Sequence, residues 1–218
     1  MKKINVITID GPSASGKGSL AKRIAIKKSF KLLDSGVLYR LFAYFYILDL
    51  STSQISEKIK NKIKFKLNDD LIIFYNDVDI TVNLRSEKIA KTASKLSSEK
   101  YVREALLNIQ RDFYDEKGLV ADGRDMGTVV FKDAKLKIFL TALPEIRAKR
   151  RYLELQNRGQ EVNMPALMAD IEQRDFKDST RELSPLLPAD DAHIIDSSEM
   201  SLSEVLIAAE NLIKKEFK

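Results

Sequence analysis

The stretch INVITIDGPSASGKGS, residues 4–19, decides how the rest of this chain is read. Ile4, Val6, Ile7 and Ile9 form a β-branched apolar run that stops at Asp10-Gly11, which predicts a buried strand. KGSLAKRIAIKKSF, residues 17–30, places Leu20, Ile24, Ala25 and Phe30 on one helical face. Between strand and helix, Gly11, Gly16 and Lys17 match the pattern G-x-x-x-x-G-K-[ST]. Glycines there let backbone N–H groups turn toward phosphate oxygens, the helix points its positive end at them, and Lys17 adds a point charge. A ligand-free glycine turn is the alternative, but strand, helix and lysine all stand in register.

One position departs from the pattern. Gly18 stands where the hydroxyl belongs, and Ser19 comes one place late. Direct Mg²⁺ ligation from position 18 is therefore lost. The ion would rest on phosphate oxygens and water, with Ser19 or Asp122 assisting from the outer shell. Asp122 ends another predicted strand, where a second acid of such a site belongs; a capping or turn role is its alternative.

Working outward, residues 31–34 predict a short strand or turn, and a helix follows near 36–49. Phe42, Phe45 and Tyr46 fall at i, i+3 and i+4, a stripe read as core rather than as a base-stacking platform. IKFKL, LIIFY and VDITVN then follow in quick succession. They predict three antiparallel strands joined by tight turns, within an inserted subdomain at about 60–84. Residues 118–122 and 136–142 predict two more buried strands, and HIIDSS a last short one. Helices are expected over LPEIRAKRRYLELQNRG, over about 164–177, and over 201–217. Pro144 and Gly159 punctuate the first of these. Strands alternating with helices predict a doubly wound parallel α/β sheet.

Bulk properties narrow the class. The chain has 218 residues, 44% hydrophobic and 32% charged, as expected of a globular protein. It contains no cysteine, which excludes disulfides, thiolate metal sites and a cysteine nucleophile. The most apolar stretch, LFAYFYILDL, is far short of the ~20 residues that span a bilayer. No signal peptide is read at the N-terminus, and a cytoplasmic protein without membrane partner is expected. The single histidine, His193, lies in a predicted strand and reads as structural.

The net charge of +5 points to an anionic partner, and arginine placement refines this. Six arginines lie between 147 and 181: Arg147, Arg150, Arg151, Arg158, Arg174 and Arg181. Surface charge is the ordinary reading. Their arrangement around NRGQEVNMP also fits a mobile lid that brings positive charge over phosphates. Arg40 and Arg124 follow predicted core elements, where open parallel sheets bind ligands, and guanidinium groups there could fork a second phosphate. With one histidine and no nucleophile arrangement, the inventory suits phosphoryl transfer to an acceptor that is already an anion.

GPSASGKGS, LLDSGVLYR, VREALL, ADGRDMGTVVF, KIFLTA and RDFKDSTRELSPL together resemble the bacterial cytidylate kinases, nucleoside-monophosphate kinases of the P-loop type. The resemblance covers nearly the whole chain and is weakest across 50–85. It implies one P-loop kinase domain, residues 1–218, with an inserted nucleotide-binding subdomain at about 51–95 and a helical lid at about 153–183. It implies Mg²⁺-assisted transfer from ATP to CMP or dCMP. Position by position, it implies ATP on Gly11, Pro12, Ser13, Ala14, Ser15, Gly16, Lys17, Gly18, Ser19 and Arg150. Ser35, Ser94, Arg103 and Asp125 match positions that read cytosine. Arg40, Arg124 and Arg181 match positions that hold the acceptor phosphate, and Arg174 and Asp178 positions near the sugar. Lys17, Arg124 and Arg181 form the implied catalytic set. Ser19 stands where the family commonly has threonine, and Lys177 where a further arginine often sits.

Two alternatives remain at this stage. One is a P-loop kinase for UMP, dTMP or shikimate. The other is a nucleotide switch or nucleic-acid binder, although no weave of aromatic and basic residues is present. A monomer without nucleic-acid partner is expected.

Overall fold

Residues 3–157 and 159–217 are described by the computed structural model. The fold begins with β1 (Ile4–Asp10), α1 (Lys17–Lys28), β2 (Lys31–Asp34) and α2 (Ser35–Tyr46). Next come α3 (Thr52–Lys62), β3 (Ile63–Leu67), β4 (Leu71–Tyr75), β5 (Val78–Asp79), α4 (Thr81–Leu84), α5 (Glu87–Leu96) and α6 (Lys100–Arg111). The chain returns to the core with β6 (Leu119–Gly123) and a π turn (Met126–Val130), then β7 (Ala134–Thr141). It closes with α7 (Pro144–Gln156), α8 (Met164–Thr180), β8 (His193–Asp196) and α9 (Leu202–Glu216).

Five strands form one parallel sheet in the order β2-β6-β1-β7-β8. Alternation along β1 sends side chains to both faces. Val6 joins one core with α2, α3 and α6, where Phe42, Phe45, Ile55 and Leu106 are fully buried. Ile7 and Ile9 join a second with Leu20 and Ile24 of α1 and Val205 and Ala209 of α9. The expected doubly wound architecture is thus the observed one. The pairing register brings Asp10, Asp34, Asp122 and Asp196 to the carboxyl edge of the sheet, the edge at which such folds bind ligands.

The small second sheet has the order β3-β4-β5 and is antiparallel. Asn76 and Asp77 both adopt positive φ in the β4–β5 turn, the geometry that a two-residue hairpin requires. The expected third strand stops after two residues. Asp79 accepts a hydrogen bond from the Thr81 N–H at 2.8 Å, and the chain turns into α4. STSQISEKIKNK, polar in composition, is a helix: Ser51 and Gln54 form a capping box, and Ile55 and Ile59 are buried against the core. The aromatic stripe of α2 also needs correction. Leu38, Leu41, Phe42 and Phe45 are buried, whereas Tyr46 is 45% exposed. It lies past the edge of an i, i+3, i+4, i+7 face.

Candidate active site

The strand–loop–helix unit positions the phosphate loop. Gly11, Pro12, Ser13, Ala14, Ser15 and Gly16 form the loop, and Lys17, Gly18 and Ser19 the first turn of α1. Gly16 sits at φ 95°, in left-handed space, and offers α1 no capping side chain. The N–H groups of that first turn are thus left to an external acceptor. The buried Ser15 hydroxyl likewise has no protein partner. Lys17 is buried, donates from Nζ to the Pro12 carbonyl at 3.1 Å and lies 3.9 Å from Asp122. Burial and the neighbouring Arg124 pull its ammonium below the ordinary range, and Asp122 opposes that pull. Burial pushes Asp122 up, with Lys17 opposing.

Gly18 acquires a physical reason. A Cβ at this position would lie 3.3 Å from Asp122 Oδ2. Glycine therefore keeps open the space between the loop and a buried carboxylate. Ser19 is exposed on the same turn. The arrangement fits an ion held mainly by phosphate oxygens and water, with carboxylate and hydroxyl at its edge. Among the described residues no group of three metal-ligating side chains is clustered.

A second centre lies beside the first. Arg124 and Asp125 follow β6 directly, and their side chains diverge. Arg124 Nε donates to Asp178 Oδ2 of α8 at 3.0 Å, while Asp125 pairs with Arg103 of α6. Arg181, at the end of α8, lies 4.0 Å from Asp178 and donates to the Ser184 carbonyl. Burial would raise Asp178, but Arg124, Arg174 and Arg181 outweigh it and hold the carboxylate below its usual range. Arg174 Nη1 reaches Ser13 Oγ at 3.4 Å, so α8 touches the phosphate loop. Buried N–H groups at Arg174 Nε and Arg181 Nη2 have no protein acceptor, which costs free energy unless an anion satisfies them.

The remaining expected residues stand around this centre. Ser35 is buried in the first turn of α2, which the Asp34 carboxylate caps through the Val37 N–H at 3.0 Å. Arg40 donates to the Leu84 carbonyl at 2.8 Å and lines a cleft of about 190 Å³ with Asp34, Arg85 and Arg151. Ser94 receives Lys177 Nζ on its backbone carbonyl at 3.2 Å, a link between α8 and α5. A larger apolar cleft of about 900 Å³, between the end of α1 and the β3 face, includes none of these residues.

The arginines of α7 do not form one charged surface. Arg147 is buried and braces the structure. It donates to the carbonyls of Ala142 at 2.8 Å and Ser13 at 3.3 Å and pairs with Asp175 at 2.5 Å. Arg150 clamps the outside of the loop, donating to the Ser15 carbonyl at 3.2 Å and the Ser197 carbonyl at 2.6 Å. Arg151 pairs with Glu154 at 2.7 Å. Arg158 lies outside the described residues. Sequence reasoning passed over Asp10, whose buried carboxylate accepts from the Met126 and Gly127 N–H groups. Only its place at the end of β1 marked it. It also passed over Ser197, which joins Arg150, the loop and β7 through hydrogen bonds to the Ser15 and Thr141 carbonyls.

Comparisons with known proteins agree with this geometry. The sequence model of the family described as cytidylate kinase matches residues 7–215. A cytidylate kinase of Coxiella burnetii is 44% identical over 222 aligned positions, covering 98% of this chain and 94% of that protein. Cytidylate kinase 1 of Haemophilus influenzae is 42% identical over 207, covering 92% and 90%. Among solved structures, TT1252 of Thermus thermophilus shares the fold, with a TM-score of 0.50, 14% identity and full coverage of both chains. The chain belongs to the cytidylate kinase family and is a nucleoside-monophosphate kinase.

Proposed function

We propose that this enzyme transfers the terminal phosphoryl group of ATP to CMP and dCMP, as a cytoplasmic monomer. The observation that carries the reading is the pairing of two adjacent residues to different elements: Arg124 to Asp178, and Asp125 to Arg103. One half suits an acceptor phosphate and sugar, the other a base edge. Cytosine presents an amine beside two ring acceptors. Asp125 and Ser35 accept from the amine, and Arg103 donates to N3 and O2. Uracil would set a carbonyl against the acceptors, and a site built on hydrogen bonds rejects such an analogue strongly. Ser94 contributes from α5, and Arg40, Arg124, Arg174, Asp178 and Arg181 surround the acceptor phosphate and sugar.

ATP binds with its phosphates on residues 11–19 and with Arg150 beside the loop. Their negative charge raises the buried Lys17 ammonium back toward its ordinary range. A phosphomonoester, with a second pKa of ~6, is largely a dianion at neutral pH. Its oxygen therefore attacks without a general base, and the task of the protein is positioning and charge neutralisation. Lys17, Arg124 and Arg181 supply that charge. Magnesium would lower the charge of the transferred group further, with Asp122 and Ser19 the side chains placed to hold its waters. Among the described residues no helix is long and apolar enough to cross a membrane.

An ADP-release assay with ATP and Mg²⁺ tests the proposal, offering CMP, dCMP, UMP, AMP, dTMP and shikimate separately. Fast turnover with CMP and dCMP alone is expected. A preference for another acceptor would overturn the base-reading roles of Ser35, Ser94, Arg103 and Asp125. Lys17→Ala is expected to abolish turnover; a near wild-type rate would remove Lys17 from the mechanism.

A further inference from the structure

Arg124 and Asp125 are neighbours in sequence, yet they serve opposite sides of the site. Their backbone therefore sets the angle between the α8 contacts and the α6 contacts. That backbone is gripped at both ends by one residue. Gly123, just before the pair, lies opposite Asp10 in the β1–β6 ladder. Met126 and Gly127, just after it, both donate their N–H groups to the Asp10 carboxylate, at 2.8 Å to Oδ1 and 2.8 Å to Oδ2. Asp10 is itself only 5% exposed and is locked centrally, its strand paired to β6 and β7.

The space under the turn is full. A Cβ on Gly127 would lie 2.9 Å from Thr8 Oγ1, 3.1 Å from the Lys137 stem and 3.3 Å from Asp10 Oδ2. Burial is also the main reason that the Asp10 carboxyl is pushed up to about 7, with Asp125 and Asp122 adding to the rise and the two N–H groups opposing it. A buried carboxylate beside two other acids is costly. A carboxylate gives each of the two successive backbone donors an oxygen of its own.

We propose that Asp10 is a positioning residue for the acceptor nucleotide, holding the Arg124–Asp125 backbone so that both side chains meet one acceptor together. Asp10 touches neither substrate. The proposal rests on the reading of Arg124 and Asp125 as acceptor contacts.

The test is steady-state kinetics of Asp10→Asn, with Arg124→Ala and Asp125→Ala measured alongside. Asparagine keeps the shape but turns an N–H₂ group toward one of the two donors. The acceptor KM is expected to rise about ten- to a hundredfold, since small misplacements of positioned groups cost on that scale. The KM for ATP should stay within about twofold, because the loop backbone is untouched. Gly127→Ala, which crowds the same turn with one methyl group, is expected to reproduce the acceptor-selective change and stands in if Asp10→Asn does not fold. Equal changes in both KM values, or none, would overturn the positioning role while Arg124→Ala and Asp125→Ala still impair the acceptor. If those two variants also leave the acceptor KM unchanged, the acceptor reading itself falls, and the Asp10 role with it.

Discussion

Asp125 and Asp10 are both buried carboxylates near the end of a core strand, and their partners give them different work. Asp125 faces Arg103 of α6. On the proposed base reading, Asp125→Ala is expected to raise the acceptor KM by more than tenfold and leave the ATP KM nearly unchanged, since the buried partner of Arg103 that would also meet the base amine is lost. Equal effects on both substrates in initial-rate measurements would refute base reading. Asp10 faces two backbone donors. Its carboxyl is raised in the folded protein from 3.8 to about 7, so between those pH values the folded state binds more protons than the unfolded chain. Its contribution to stability therefore falls as pH rises through that window. Thermal melts of Asp10→Asn and wild type should diverge in favour of the variant by on the order of 3 kcal/mol between pH 4 and pH 8. A pH-independent difference would show that Asp10 does not titrate there.

At the scale of elements, the phosphate loop, α7 and α8 are tied into one mechanical unit. Arg147 of α7 ties together the Ser13 carbonyl and Asp175 of α8, and Arg174 of α8 reaches Ser13 itself. Asp175→Ala would leave the buried Arg147 guanidinium without its counter-ion, held only by the Ala142 and Ser13 carbonyls, a destabilising change. Because the broken tie joins α7 to α8, the expected result is faster proteolysis and hydrogen exchange across 144–180, with the five-strand core still protected. Uniform loss of protection would mean that the tie supports the whole fold. The same contacts show what arginine spacing leaves open. Arg147, Arg150 and Arg151 stand at i, i+3 and i+4, a pattern that fits a ligand surface and an internal brace equally well. Tyr46 and the shortened β5 failed for the parallel reason that a face or a strand ends where packing ends.

Across the molecule, α8 and α5 are joined by Lys177, whose Nζ donates to the Ser94 carbonyl. A further arginine often sits at this position in the family; in the fold Lys177 bridges α8 to α5. Lys177→Met is expected to raise the acceptor KM about fivefold, the worth of one hydrogen bond, while the preference for CMP over UMP persists. Lys177→Arg should recover most of the loss. A change in base preference would place Lys177 in the base-reading contacts instead.

What the sequence by itself determined is what depends on neighbours along the chain. The β-branched run 4–10, the glycines and lysine of 11–19 and the helix after them specify a phosphate loop through φ/ψ limits, periodicity and a helix N-terminus. Order alone, strand and helix in alternation, was enough for the parallel sheet. The family motifs marked which residues to watch at the acceptor site. What only the tertiary structure decided is the partner of each charge. Arg103–Asp125, Arg124–Asp178 and Arg147–Asp175 join residues 22, 54 and 28 positions apart. Asp10 finds its donors 116 and 117 positions away. Whether a charged side chain binds a ligand or braces the fold depends on burial and on that distant partner, and neither is a property of the local sequence.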